Sequence, residues 1–398
     1  MRPDVPKLDA QLGMLAYSTD FGGIGGRVKE RLSDFVVSEV LSSRPPAGDL
    51  PTYVVQKANR NTIDVAEELE RAIRCRVKFW GLKDRRSIST QFMQCTVPRS
   101  RPTQAASGRG WSARLVGMWR ELSSEHFAGN AFSIRIRGSG IPAERLAEAA
   151  EALRSGAMAN FFGYQRFGAA NQNHLLGRCI VRRDRGECRG LVEGMPRRVR
   201  RLAISAYQSY LFNLSISRVL MEEGGLPRRA AVVHRVVPRP FLRAMEEPMA
   251  APAHLDSTVP SAPVPGYSYR SRGDAYSRAL DEVMREEGVS PRDFYMDDAP
   301  NLSAEGGWRP AALLGEARAG RDGELKLLLQ RGSYATVFLR ELMKPEDPVG
   351  SGLARRRRQL TSAYPRSLRE SRSPSAYPAS ASASSRFPSE RNLSASMR

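Results

Sequence analysis

The chain has 398 residues, 41% of them hydrophobic, with a formal net charge of +20 and a pI near 10.4. At roughly 100–200 residues per domain this predicts about two domains with a real core. No apolar run approaches the ~20 residues of a membrane span, and MRPDVPKLDAQLGML has acidic residues and no apolar h-region, so it does not read as a signal peptide and a cytoplasmic protein is expected.

The first region runs from about Leu15 to about Met158. It opens on a glycine-rich turn, FGGIGGRVKE, and the alternating run DFVVSEV predicts a strand. TYVVQKANR predicts another. Asn61 or Thr62 can cap the helix IDVAEELERAIR, whose Ile63, Ala66, Leu69 and Ile73 fall at helical spacing. KFWGLKD reads as a short strand ending in a loop, and STQFMQCTVP as a strand. After a Ser/Arg/Gly-rich loop from Arg99 to Gly110, ARLVGMWRE and NAFSIRIRG alternate as strands, and PAERLAEAAEALRSG is an amphipathic helix. Strands and helices interleave, so the expected class is α/β or α+β with a mixed sheet.

The second region, about Gly186 to Glu305, starts with a long helical pattern, RRVRRLAISAYQSYLFNLSISRVLMEEGG, ending at a glycine pair. The proline-rich stretch from Pro238 to Pro265 is expected to be a loop or extended arm, and DAYSRALDEVMREEG another helix. In the third region, about Gly306 to Lys344, LKLLLQRGSYATVFLRELMK predicts a strand, a turn at Arg331-Gly332 and a short helix. From about Pro345 the chain is rich in Ser, Arg, Ala and Pro and offers too little apolar surface to offset ordering entropy, so a disordered tail is expected. Its run Arg355–Arg358 can bind RNA phosphates or can be a solvated extension. Ten arginines and two glutamates from 351 to 398 give +8, leaving +12 on the other 350 residues. That remainder still favours a polyanionic partner, without separating RNA from DNA.

The cysteines Cys75, Cys95, Cys179 and Cys188 form no CxxC pair and the four histidines are scattered, so no zinc site is expected and four reduced thiols are. FGGIGGRV lacks the spacing of a nucleotide-binding glycine loop. The most unusual surface-type segment is GLKDRRSISTQ. Asp84 lies among Lys83, Arg85 and Arg86, and nearby cations favour an ionised carboxylate. Inside a basic groove it can be a nucleophile or base acting on RNA; the plainer alternative is an exposed aspartate paired with arginine. NFFGYQRFG sets aromatics beside Gln165 and Arg166 on a turn, suited to stacking an unstacked base, although aromatics are more often buried for their area. RLAISAYQSYLFN reads as helix packing.

Together and in this order these segments resemble the TruD family of tRNA pseudouridine synthases, over about Gly23 to Lys344. The blocks that carry the resemblance are KERLSDFVVSE, NRNTIDVAEEL with GLKDRRSISTQ, GNAFSIRIRG, NFFGYQRFGAANQNHLLGR, RLAISAYQSYLFN and RGSYATVFLREL. Two departures stand out: Ser38-Glu39 where the family often has two acidic residues, and Ala159 where it often has proline.

The resemblance implies a catalytic domain with a mixed, largely antiparallel sheet and an inserted α/β TRUD domain. The chain would divide into 1–185 and 306–344 (catalytic), 186–305 (inserted) and 345–398 (tail). It implies Asp84 as nucleophile, Lys29 as the cation facing it, and Asn160 and Phe162 as residues that hold and stack on the target base. Lys83, Arg85, Arg86, Gln165 and Arg166 are expected RNA contacts. The implied activity is conversion of a tRNA uridine, at position 13, to pseudouridine by a cytoplasmic monomer, with no metal, cofactor, nucleotide or membrane. Two rivals remain: a non-catalytic RNA-binding protein on the same scaffold, and a nuclease, which would usually want clustered carboxylates for metal.

Overall fold

The computed structural model describes residues 4–42, 45–183, 194–235, 242–243 and 258–355. In chain order its elements are helix α1 (Lys7–Gln11), strands β1 (Phe35–Leu41) and β2 (Ala47–Ala58), helix α2 (Thr62–Ile73), and strands β3 (Val77–Phe79), β4 (Ile88–Cys95), β5 (Ala105–Gly108), β6 (Trp111–Trp119) and β7 (Phe127–Arg135). Helices α3 (Ala143–Arg154), α4 (Asn173–Val181) and α5 (Arg197–Glu222) follow, then strands β8 (Val233–Arg235), β9 (Leu242–Arg243) and β10 (Thr258–Val264). The chain continues with helix α6 (Ala275–Glu286), strands β11 (Gly307–Pro310), β12 (Gly315–Ala319) and β13 (Glu324–Gln330), and helix α7 (Ala335–Met343).

The main sheet runs β12-β13-β7-β1-β4-β2-β6-β5, with β3 added to β4 and β9 to β1. Only the β1–β4 pairing is parallel within it, so the sheet is mixed and largely antiparallel, as expected. Strand β13 pairs over its whole length with β7, from Glu324↔Arg135 to Gln330↔Gly129. Strands β12 and β13 therefore return to the sheet begun by the first 135 residues, whereas β11 joins β10 and β8 in a separate three-stranded sheet. On α2, Val65, Ala66, Leu69 and Ile73 form the buried face, and the helix stops where Arg74 turns left-handed.

Sheet and helices meet in one large apolar core. Ile134, Leu325, Leu327 and Leu329 face Leu146 and Leu153 of α3, Phe338 and Leu342 of α7, and Phe212 and Ile216 of α5. A second cluster sets Ile204, Tyr207 and Leu211 of α5 against Leu280, Val283 and Met284 of α6. Helix α5 thus serves both cores from different faces. Each large apolar side chain buried there contributes about 1.5–3 kcal/mol.

Several details depart from expectation. The Arg99–Gly110 loop contains β5, a short edge strand against β6 with a left-handed turn at Gly110 (φ 75°); its small residues carry little strand signal. The end of the proline-rich stretch is strand β10. Prolines fit because pairing changes sides along it: β8 pairs with Thr258–Pro260 and β11 with Ser261–Val264, so each half is an edge. The rest of that stretch lies outside the described residues, except Leu242–Arg243.

Residues 346–355, expected to belong to the tail, pack on the body instead. Leu353 and Ala354 are buried, and the Val28 amide donates to the Ser351 carbonyl at 2.8 Å. Few apolar residues suffice there because they drop into a core already built. Residues 356–398 lie outside the described set.

Cys75 and Cys95 are free and buried. Cys179 is disulfide-bonded, which corrects the expectation of four reduced thiols; Cys188 lies outside the described residues. Among the described residues no helix is long and apolar enough to cross a membrane.

Candidate active site

The glycine-rich segment brings Lys29 into place. It runs over the end of α7, where the Ile24 and Gly25 amides donate to the Leu342 and Met343 carbonyls at 3.1 and 3.0 Å. A Cβ on Gly23 would lie 2.4 Å from the Met343 carbonyl oxygen, so only glycine permits this approach. Lys29 itself is left-handed, with φ 60°, which costs a lysine roughly 1–2 kcal/mol. Strain of this kind collects at functional sites. Its ammonium lies 2.8 Å from Asp84 Oδ2.

Asp84 sits in the loop between β3 and β4, and its main chain is held from two sides. Lys57 Nζ and Ser87 Oγ donate to its carbonyl at 3.0 and 2.7 Å. The neighbouring Lys83 amide donates to Thr62 Oγ1 at 3.1 Å, tying the loop to the start of α2. The Asp84 side chain is 8% exposed. Gln165 Nε2 donates to Oδ2 at 2.8 Å, and Arg355 Nη2 lies 2.9 Å from Oδ1. Burial by itself would raise the carboxyl pKa, but Lys29, together with Arg355, more than reverses this and holds it well below the usual carboxylate range. Asp84 is therefore an ionised carboxylate at neutral pH, and its plain exposed alternative does not hold. Lys57, pulled down by burial to about 8 against the pull of Asp84, faces the Asp84 carbonyl rather than its carboxylate.

A cavity of about 640 Å3 opens at Asp84, lined among others by Lys29, Arg85, Arg86, Gln165 and Arg355. That is within the range of small-ligand pockets, about 300–1,000 Å3. Arg85 and Arg86 are exposed at it. Lys83, expected to contact RNA, turns inward instead: its ammonium lies 2.7 Å from Glu39 Oε1 and 2.9 Å from Asn130 Oδ1. Burial pushes the Glu39 pKa up, and Lys83 is the counter-charge that opposes this, so the lysine is committed to the sheet.

Next to this pocket lies an aromatic group built on NFFGYQRFG. Phe162 is clamped by its backbone: its amide donates to Asn213 Oδ1 at 2.8 Å and its carbonyl accepts from Asn213 Nδ2 at 3.0 Å. Its ring is edge-on to Phe212 and Tyr334, at 5.2 and 6.4 Å between centroids. The buried guanidinium of Arg309 lies against it, with Cζ 3.9 Å from the ring centroid. Arg309 also donates to Asn160 Oδ1 at 2.9 Å and to the Gly332 carbonyl at 2.8 Å. Burial lowers the Arg309 pKa to about 10, still high enough for a cation.

Asn160, expected to hold a base, is 1% exposed and spends its side chain on Arg309 and on the Pro310 carbonyl. In this structure neither Asn160 nor Phe162 lines the cavity, and Asn160 acts on Phe162 through Arg309. Arg166, another expected RNA contact, donates to Ser209 Oγ at 3.0 Å and to Ser205 Oγ, and lies over Phe162 at 5.3 Å. Gln165, expected to touch RNA, is exposed at the cavity and also binds Asp84.

The order of these pieces along the chain matches a known pattern. A family model described as tRNA pseudouridine synthase D (TruD) covers residues 11–189 and 184–342. The chain belongs to the TruD family, a family of isomerases. A relative from Anaeromyxobacter dehalogenans named tRNA pseudouridine synthase D is 30% identical over 339 residues, covering 83% of this chain and 96% of the relative. One from Pyrobaculum arsenaticum, assigned the same name, is 31% identical over 432 residues, covering 88% and 99%. A crystal structure from Methanosarcina mazei assigned to TruD has the same fold, with a TM-score of 0.58, 23% identity and coverage of 86% of this chain and 99% of that one.

Lys29, Asp84, Phe162, Gln165 and Arg309 all lie inside the TruD match, and Arg355 lies beyond its end at 342. Sequence reasoning missed Asn213, Arg309, Tyr334 and Arg355. Asn213 and Tyr334 stand within blocks that carry the resemblance to TruD, and an asparagine amid the apolar residues of YLFNL was a readable signal. Arg309 gave no local signal, and Arg355 looked like one charge of a basic run.

Proposed function

We propose that this chain isomerises a uridine of tRNA to pseudouridine, with Asp84 as the nucleophile and uridine 13 as the target. The observation that carries this reading is the Asp84 carboxylate: buried, ionised and oriented through Oδ2 by Lys29 and Gln165 at the floor of an arginine-lined cavity.

The reaction breaks the C1′–N1 bond of the target nucleotide, turns the uracil, and joins C5 to C1′. The bonding pair of C1′–N1 leaves with the base; when C5 joins C1′ any ester between C1′ and the carboxylate breaks, C5 loses its proton and N1 takes one up, so the product is an isomer. An ionised carboxylate can attack C1′ directly or promote elimination at the sugar, and both routes start from the state in which Asp84 is held. The base must first leave its stack at a cost of a few kcal/mol, which stacking on an aromatic face, worth about 1–3 kcal/mol, offsets. Phe162 is the candidate face. Arg85 and Arg86, exposed at the cavity, are the candidate phosphate contacts; Lys83 and Arg166 act inside the protein, and Asn160 supports Phe162 through Arg309.

The test is pseudouridine mapping on unmodified tRNA treated with wild-type and Asp84→Asn protein. Wild type forms pseudouridine at position 13 and Asp84→Asn forms none while still binding tRNA. Normal turnover by Asp84→Asn removes Asp84 as nucleophile. Modification elsewhere replaces the target, and tRNA binding without modification by wild type makes the chain an RNA-binding protein on this scaffold.

A further inference from the structure

The two oxygens of Asp84 are held differently. Oδ2 has Lys29 and Gln165, each at 2.8 Å. Oδ1 has Arg355, at 2.9 Å. The Lys29 side chain is 6% exposed and belongs to the walls of the site, whereas that of Arg355 is 54% exposed. The oxygen left for chemistry is the one that an accessible arginine covers.

Arg355 is brought there deliberately by its local chain. Asp347, Val349, Gly350, Gly352, Leu353 and Ala354 line the same cavity. Hydrogen bonds from the Ser351 amide to the Asp347 carbonyl and from the Ala354 amide to the Pro348 carbonyl, at 2.9 and 2.8 Å, fold them into a tight turn. A Cβ on Gly352 would meet the Val28 carbonyl oxygen at 2.2 Å, so the turn sits directly on the segment leading to Lys29. The anchor is hydrogen-bonded to the body, and the guanidinium at its end is exposed.

We propose that Arg355 is a guard on the nucleophile: it covers Asp84 Oδ1 in the free protein and passes to a phosphate of the bound RNA, so that substrate binding uncovers the reacting oxygen. The inference rests on the reading of Asp84 as nucleophile. Three observations favour exchange over a permanent role. Lys29 already supplies a buried cation. Arg355 lies past residue 342, where the TruD match ends. And Arg355 opens the run Arg355–Arg358, which a polyanion attracts as a unit. Exchange is open to Arg355 because its own side chain is 54% exposed although that of Asp84 is 8% exposed, and arginine and phosphate pair through two parallel hydrogen bonds.

The test is a double-mutant cycle on the Kd for an unmodified tRNA transcript, with wild type, Asp84→Asn, Arg355→Gln and the double variant, in about 0.1 M salt. If Arg355 is shared between Asp84 and phosphate, Asp84→Asn tightens binding about two- to fivefold more when Arg355 is present than when it is replaced. Arg355→Gln also lowers the slope of log Kd against log salt by about one. An additive cycle overturns the proposal. So does a tenfold or greater fall in the single-turnover rate of Arg355→Gln at saturating tRNA, which would make Arg355 a positioning cation needed at Oδ1. The Kd cycle requires no turnover, so a failure of the pseudouridine reading shows separately, as absence of product from wild type.

Discussion

The guanidinium of Arg309 lies 3.9 Å from the centre of the Phe162 ring while donating to the Asn160 side chain and the Gly332 carbonyl. One buried cation thus ties together three segments distant in sequence: the NFFG turn, the end of β11 and the turn before α7. Among the described residues its acceptors are neutral oxygens, so its charge depends on their geometry.

Replacing Arg309 with methionine keeps the volume and removes both the fork and the charge. Phe162 and the 331–334 turn then lose their common anchor. The expected result is a fall of about tenfold or more in kcat with a smaller change in KM, as for loss of a positioning interaction. Steady-state kinetics on tRNA read this split, and unfolding curves separate it from loss of fold. A change confined to KM would contradict the positioning role.

Asp84 is ionised because nearby cations overcome its burial. Its folded pKa is depressed, so the stability it contributes is present above its unfolded value near 3.8 and is lost as pH falls through the depressed value. Between pH 5 and 8 its protonation should not limit the wild-type rate. Lys29→Met removes the largest opposing influence and leaves burial, which raises the pKa, opposed by Arg355. Activity of that variant at pH 5 should fall relative to pH 8, giving an acid limb that the wild type lacks; a pH–rate profile checks it.

Gln165 donates to the same carboxylate oxygen as Lys29. A hydrogen bond to a charged group contributes about 1.5–3 kcal/mol. Gln165→Leu should therefore slow single-turnover pseudouridine formation by about tenfold, with the pH profile little moved because the Lys29 charge remains. An undiminished rate would show that Lys29 alone orients Asp84.

Arg340 and Asp9 form a fully buried ion pair, and Asp9 also accepts from Tyr164 Oη at 2.7 Å. The pair joins the first helix, α7 and the turn that carries Gln165. Arg340 also pairs with Glu341 at 3.2 Å, so losing Asp9 leaves the buried guanidinium one carboxylate short and costs less than the roughly 3–5 kcal/mol of stranding a buried charge. Asp9→Ala should lower the urea midpoint accordingly, with no new acid limb in activity. Leu353→Ala, in the segment taken from sequence as tail, should also destabilise, by about 2–5 kcal/mol.

The sequence by itself determined the class of fold and most element positions, and it singled out Lys29 and Asp84, which the structure brings within 2.8 Å of each other. Alternation in DFVVSEV and the apolar spacing of α2 are local properties of the backbone, readable wherever they occur. Lys29, Asp84 and Phe162 were legible because they stand in ordered blocks shared with TruD. The tertiary structure decided the direction of each charge. Lys83 and Arg85 flank Asp84 in one basic run, yet Lys83 answers the buried Glu39 and Arg85 faces the cavity. It also decided that Asn160 reaches Phe162 through Arg309, and that the chain runs on past Lys344 to set Arg355 on Asp84. A side chain's electrostatic partner is fixed by burial and by segments up to hundreds of residues away, and no local pattern contains that information.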